Sequence, residues 1–203
     1  MNRKALLLSC KMLADKGVWC IPEATLLACA GHPDPGYLRV AMNRHIKAGL
    51  IERLGTKLYL NPFLSAPLFA LHRLANFLRP ADSFYLSRES VLSEHGWISQ
   101  MPFCLTFVTS GRSYRYTTKF GDIEFVHTEE DPATWAPHLH YNETRQVWEA
   151  SPEKALADHI GMLGGTYDGQ RMGAFHIPGD QWRRLIRTLA RRLRPQRAQR
   201  IFI

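Results

Sequence analysis

Residues 34–60 read DPGYLRVAMNRHIKAGLIERLGTKLYL, and the reading of the amino-terminal third turns on them. Asp34 can accept from the orphan amides of a helix start, and Pro35 suits a first helical position, where no N–H is needed. On a helical wheel Leu38, Ala41, Met42 and Ile46 share one side, and Arg39, Asn43, Arg44 and Lys47 the other. His45 falls on the apolar side and reads as a packed histidine. Gly49 tolerates the left-handed conformation that ends helices. Residues 50–54 and 57–60 are short apolar runs joined by Gly55-Thr56, a hairpin signal with Arg53 and Lys57 beside the turn. A helix with a basic outer face running into a basic hairpin suits groove entry by the helix and backbone contact by the hairpin. The stretch therefore implies a winged helix-turn-helix, with Tyr37, Arg39, Asn43, Arg44, Lys47, Arg53 and Lys57 as candidate DNA-binding residues.

Upstream, residues 3–16 read as a helix with Ala5, Leu6, Leu8, Met12 and Leu13 available for packing. An extended connector, residues 18–21, leads to a second helix over 22–30 that starts at Pro22 and ends at Gly31. Downstream, residues 61–67 break the pattern, and residues 67–78 are amphipathic, with Leu68, Leu71, Leu74, Ala75 and Leu78 apolar. The expected organisation is a winged helix-turn-helix over 1–62, a connecting helix over 63–80, and a mixed α/β domain over 81–203 ending in an Arg-rich helix. The fold class is α+β.

The formal charge of +8 is unevenly placed. Residues 1–62 hold nine Lys/Arg against four Asp/Glu, residues 63–182 nine against fourteen, and residues 183–203 eight Arg and no acid. Basic ends around an acidic middle fit nucleic-acid contact through particular surfaces. Arg183, Arg184, Arg187 and Arg191 are additional DNA-contact candidates; a solvated basic tail is the plain alternative. No apolar run is long enough to span a bilayer, and charges interrupt the amino-terminal apolar stretch, which argues against a signal peptide or anchor. Cys10, Cys20, Cys29 and Cys104 lack both CxxC and disulfide-framework spacing, and the first three sit in apolar stretches as expected of buried thiols. The cytoplasm is the expected compartment.

In the second domain residues 83–86 read as a strand, and Ser87 as the N-cap of a helix closed by Gly96. Residues 103–109, 114–120 and 123–128, rich in Thr, Tyr, Phe and Val, read as a strand meander. Residues 146–150 give one more strand, residues 152–163 a helix capped by Ser151, and residues 180–193 a final helix.

The succession YLSRESVLSEHG (85–96), LTFVT (105–109), GDIEF (121–125) and ASPEKALAD (150–158) resembles the AbiEi-type antitoxins of type IV toxin–antitoxin and abortive-infection systems. That resemblance covers much of residues 83–160, and the winged helix before it matches the family's domain order. It implies an autorepressor that binds inverted repeats upstream of its own operon and counteracts a toxin resembling a nucleotidyltransferase, without a stable complex. The chain is expected to be a monomer or homodimer and to carry no cofactor. The Arg-rich end lies outside the pattern.

Other chemistry is weakly signalled. His138-x-His140, with His127, His159 and His176, lacks the spacing of HExxH or of a Cys/His zinc site. Asp122 and Glu124 alternate onto one strand face and could hold a divalent ion in a nuclease, but no Lys follows at the usual spacing. Neither a nucleophile elbow nor a phosphate loop is present. The expectation is a regulator with no catalytic residue and no metal site; a metal-dependent nuclease or a protein-interaction module are the alternatives.

Overall fold

The computed structural model describes residues 1–31, 35–162 and 175–177. The protein is α+β, with two sheets of three and six strands among these residues. It divides into two compact units, one of Met1–Pro80 with Tyr116–Gly121, the other of Ala81–Arg115 with the chain from Asp122 onward.

The first unit opens with α1 (Arg3–Ala14), whose start is capped by the Asn2 side-chain oxygen accepting from the Ala5 amide at 2.8 Å. Leu6, Ser9 and Cys10 face inward. Leu8 and Met12, expected to pack, are 61% and 51% exposed, and Ala5 is exposed as well. The reason is geometric: Leu8 and Met12 each sit two residues beyond a core residue, about 200° around the helix. The strand β1 (Cys20–Pro22) leads directly into α2 (Glu23–Ala30), which Gly31 ends in the left-handed conformation at φ 61°. Cys10 and Cys20 are buried, and burial pushes their thiols up to about 11 and about 12. Cys29 is exposed, contrary to its apolar context, because α2 turns only Leu26 fully inward.

Next comes α3 (Pro35–Lys47), then β2 (Glu52–Gly55) and β3 (Leu58–Leu60). Asp34, expected as the α3 cap, lies outside the described residues. The sheet order is β1-β3-β2, all antiparallel, with Cys20 opposite Leu60 and Arg53 opposite Tyr59. The turn falls at Thr56-Lys57, one residue later than the Gly55-Thr56 signal, and Lys57 takes the left-handed conformation at φ 58°. Leu38 and Met42 of α3 join Leu6, Cys10, Ile21, Leu26 and Tyr59 in one core.

Asn61 closes this unit from below the hairpin. It is fully buried, and its amide donates to the carbonyls of Cys10 at 3.0 Å and Val18 at 2.9 Å. Helix α4 (Ala70–Leu78) buries Leu74 and Ala75 and sets Phe77 edge-on to Trp19 at 5.7 Å; Leu68 precedes the helix and is exposed. Lys119 joins the same unit through a 2.6 Å ion pair with Glu52.

After Pro80 the chain runs through β4 (Phe84–Leu86), α5 (Glu89–Glu94), β5 (Cys104–Thr109), β6 (Tyr114–Thr118), β7 (Gly121–His127) and α6 (Pro132–Trp135). Then come β8 (Leu139–Asn142), β9 (Val147–Ala150) and α7 (Pro152–Met162). The sheet order is β6-β7-β5-β4-β9-β8, so the expected meander is not formed. Instead β7 inserts beside β5 in parallel, Leu105 opposite Ile123 and Phe107 opposite Phe125, and leaves β6 at the edge. Burial explains the swap: β7 has Ile123, Phe125 and Val126 to bury, whereas β6 exposes Tyr114, Arg115 and Thr117, as an edge strand can. Phe107 stacks on Phe125 at 5.4 Å, and Phe84 meets both edge-on. Ser151 caps α7 by accepting from the Lys154 amide at 3.3 Å. Ser87 does not cap α5; the N-cap is Arg88, and the Ser87 hydroxyl donates to Asp158 at 2.7 Å. The expected helix over 180–193, with Arg183, Arg184, Arg187 and Arg191, lies outside the described residues.

Candidate nucleic-acid interface

Helix α3 has thirteen residues and therefore just over three turns with which to present side chains. Its inner arc is Leu38, Ala41, Met42 and His45, all buried. His45 is held with Nε2 3.2 Å from the Met1 carbonyl, a packed residue as its position in the wheel implied. The outer arc carries Tyr37, Arg39, Asn43, Arg44 and Lys47, all exposed. Leu38, Ala41 and Met42 of the expected apolar face are buried, while Ile46 is only half-buried against the core.

The side chains of Arg39, Arg44, Lys47 and Lys57 have no hydrogen-bond or ion-pair partner among the described residues. Elsewhere in the unit Lys11 pairs with Asp15 at 2.8 Å and Lys119 with Glu52, while the exposed Arg3, Lys4 and Lys16 of α1 and its end have no such partner among the described residues. Unpaired cations on one helix face sum into a local positive potential that attracts a polyanion.

Two candidates are placed differently from their sequence reading. Arg53 donates from Nη2 to Asn43 Oδ1 at 3.1 Å and lies 5.8 Å over the Tyr59 ring, so it joins the hairpin to α3. Tyr59 in turn donates to Glu23 at 3.1 Å; burial first, then the Glu23 carboxylate, pushes its hydroxyl pKa up. Tyr37 accepts from the amino-terminal ammonium at 2.5 Å while half of its side chain stays exposed.

One residue of the arc was not singled out from sequence. Val40 is 70% exposed and lies between the polar side chains. With Gly36, Tyr37, Ala41 and Arg44 it lines a shallow cavity of about 500 Å³. The signal was available, since an apolar residue on the polar side of a wheel is visible in the sequence.

The second unit holds a buried polar cluster. Lys154, 1% exposed, donates to the Tyr85 hydroxyl and, at 2.6 Å, to Asp158 Oδ1. Tyr85 donates to Asp158 Oδ2 at 3.0 Å, and Ser87 reaches the same oxygen. Spacing of four residues on α7 brings Lys154 and Asp158 together, and the β4 residues Tyr85 and Ser87 come from far in sequence. Nothing in the local pattern of either segment announces this meeting.

Nearby, a cavity of about 660 Å³ is lined by Glu89, Ile98, Met101, Phe103, Cys104 and Glu124, among others. Phe103 is 99% exposed at its rim. Glu89 is 3.1 Å from both Arg88 and His159; burial works to raise its carboxyl, but these partners and its own backbone amide hold it down to about 2. Asp122 pairs with Arg115 at 2.7 Å, and Glu124, two residues on along β7, acts on the same guanidinium. His140 lies 3.3 Å from Glu149, and His127 Nδ1 is 2.8 Å from the Gly111 carbonyl. Among the described residues no group of three or more His, Cys, Asp or Glu side chains is arranged to hold a metal ion. No helix among them is long and apolar enough to cross a membrane.

A comparison with models of known protein families finds no match, and neither does a comparison with curated protein sequences. Among solved structures the chain is similar to the RV2827C protein of Mycobacterium tuberculosis, at 16% identity and a TM-score of 0.47, over 95% of this chain and 78% of that one.

Proposed function

We propose that this chain is a sequence-specific DNA-binding repressor whose first unit is a winged helix-turn-helix, with α3 entering the major groove and the β2–β3 hairpin as the wing. The observation that carries this reading is the row of cations Arg39, Arg44 and Lys47 on the outer arc of α3, continued by Lys57 at the hairpin turn, none of them paired among the described residues. The partner is double-stranded DNA, and on this reading the chain performs no chemistry and needs no cofactor.

The second part of the proposal is that the repressor is the antitoxin of a type IV toxin–antitoxin system, acting in the cytoplasm as a monomer or homodimer on inverted repeats upstream of its own operon. The motifs shared with AbiEi-type antitoxins support it. The partner is a nucleotidyltransferase-like toxin, countered without a stable complex. A reading of the second unit as a protein-contact module is favoured by one observation, the fully exposed Phe103 and nearby Met101 beside the larger cavity.

The test is fluorescence anisotropy with the duplex upstream of this chain's reading frame against a shuffled duplex, at two salt concentrations. About four phosphate contacts correspond to a log–log salt slope near about −3.6. Preference for the upstream duplex, lost in an Arg39→Ala/Arg44→Ala variant of unchanged melting temperature, supports the repressor. A slope near zero overturns it. Co-expression with the product of the adjacent reading frame tests the antitoxin role: growth arrest by that product, relieved by this chain, is the expected result.

A further inference from the structure

We propose that Val40 reads the 5-methyl group of a thymine in the major groove, an inference that rests on the DNA-binding reading of α3. At about 100° per residue the exposed arc of α3 runs Arg39, Asn43, Gly36, Lys47, Val40, Arg44, Tyr37, which puts Val40 inside the arc with a cation on either side. Its isopropyl group is 70% exposed and is not part of the core, which Leu38, Ala41, Met42 and His45 occupy on the opposite arc.

The surroundings of Val40 are shaped for a small apolar group. Tyr37 and Arg44 are its neighbours at three and four residues, so all three share one face. Gly36 and Ala41 complete the cavity of about 500 Å³ and contribute no side chain longer than a methyl. On the Gly36 and Ala41 sides a base edge can therefore approach Val40 without meeting a long side chain, with Tyr37 and Arg44 flanking it.

The chemistry selects the ligand. In the major groove thymine alone presents a methyl group; adenine, guanine and cytosine present only donors and acceptors there. A valine offers nothing to those polar groups and offers burial to the methyl. A β-branched residue facing solvent on a helix has lost rotamer freedom without gaining burial, and contact with a thymine supplies that burial. Arg44 and Lys47 on either side are free to hold phosphate or guanine while Val40 makes this contact.

The experiment uses the full chain and two versions of the upstream duplex, one natural and one with every thymine replaced by deoxyuridine. That exchange removes the methyl groups and keeps phosphates and pairing edges. Wild type should bind the uracil duplex about fourfold more weakly for each methyl that Val40 covers. Val40→Ala, at an exposed position, should melt as wild type does and bind the two duplexes equally. Equal wild-type binding to both, with a preference over the shuffled duplex retained, overturns the role of Val40 and leaves the repressor reading standing. A uracil penalty that persists in Val40→Ala also overturns it, because the methyl is then sensed elsewhere. No preference for the upstream duplex over the shuffled one overturns the repressor reading and this inference with it.

Discussion

The Arg53 guanidinium donates to the Asn43 side-chain oxygen at 3.1 Å, joining the first strand of the hairpin to the outer arc of α3. An Asn that reads adenine uses its oxygen as acceptor and its amide as donor. Arg53 occupies one lone pair of that oxygen and fixes which way the amide points. On the proposed DNA-binding reading, the two residues should therefore act as one unit toward DNA. In a double-mutant cycle, Arg53→Ala and Asn43→Ala should be coupled by at least about 0.5 kcal/mol in binding, while Lys57→Ala with Asn43→Ala should be additive within about 0.3–0.5 kcal/mol. Additivity in both cycles would mean that the bond does not organise the interface. Both side chains are exposed, so folding stability should barely change.

Asn61 is the polar pin of the first unit. Its amide donates to the buried Cys10 carbonyl of α1 and to the part-buried Val18 carbonyl before β1, and its backbone amide donates to Trp19 at 2.8 Å. Asn61→Ala leaves the Cys10 and Val18 carbonyls without that donor, and each such loss costs about 1–3 kcal/mol. The expected outcome is a fall in stability of about 2–4 kcal/mol, seen as a lower urea midpoint at an unchanged slope. A midpoint shift worth less than about 0.5 kcal/mol would contradict the assignment.

Asn61 also shows where the sequence stops being informative. It was read as the start of a pattern-breaking segment, because a single polar residue before Pro62 looks the same whether it is buried or solvated. The helices and hairpin of residues 3–60 were legible from apolar spacing in α3 and from local start and stop signals such as Pro22, Gly31 and Gly49, although the packed face of α1 was not. Failures came where a contact is non-local. Ser87 looks like a cap and is used by Asp158, seventy-one residues away. The strands over 104–127 were recognised as strands, but their order depends on which of them has the most apolar surface to bury, and the connection lengths do not reveal it. Strand β8 was missed because Leu139-His140-Tyr141-Asn142 resembles a scatter of histidines. Candidate contact residues on α3 were legible from the wheel alone; the coupling of Arg53 to Asn43 was not.

Glu89 gives the second unit an acid-side dependence. Its carboxyl is held at about 2 against an ordinary 4.5, so the folded state favours the ionised form. The stabilisation is complete above pH 4.5 and is lost as pH falls from there toward 2. Glu89→Gln should lower stability by about 2 kcal/mol at neutral pH, less than the full linkage value because the carboxylate is partly exposed. The difference from wild type should close across that acid window in urea titrations at stepped pH. A constant difference down to pH 2 would show that the loss comes from packing and not from the charge.

On the proposed DNA-binding reading, Lys57 lets folding and binding at the hairpin turn be measured separately. It is a non-glycine residue at φ 58°, a conformation that costs an L-residue about 1–2 kcal/mol and glycine little. Lys57→Gly relieves that strain, while glycine's greater freedom in the unfolded chain offsets about 0.5–1 kcal/mol. The net expectation is a gain of about 0.5–1 kcal/mol in stability. The same substitution removes an unpaired cation at the turn, so the log–log salt slope of DNA binding should shrink by about 1. Lys57→Ala should lose the same increment of slope without the gain in stability. Stability up and salt slope down in the glycine variant, with only the slope changed in the alanine variant, would place Lys57 on a phosphate; an unchanged slope in both would remove it from the interface.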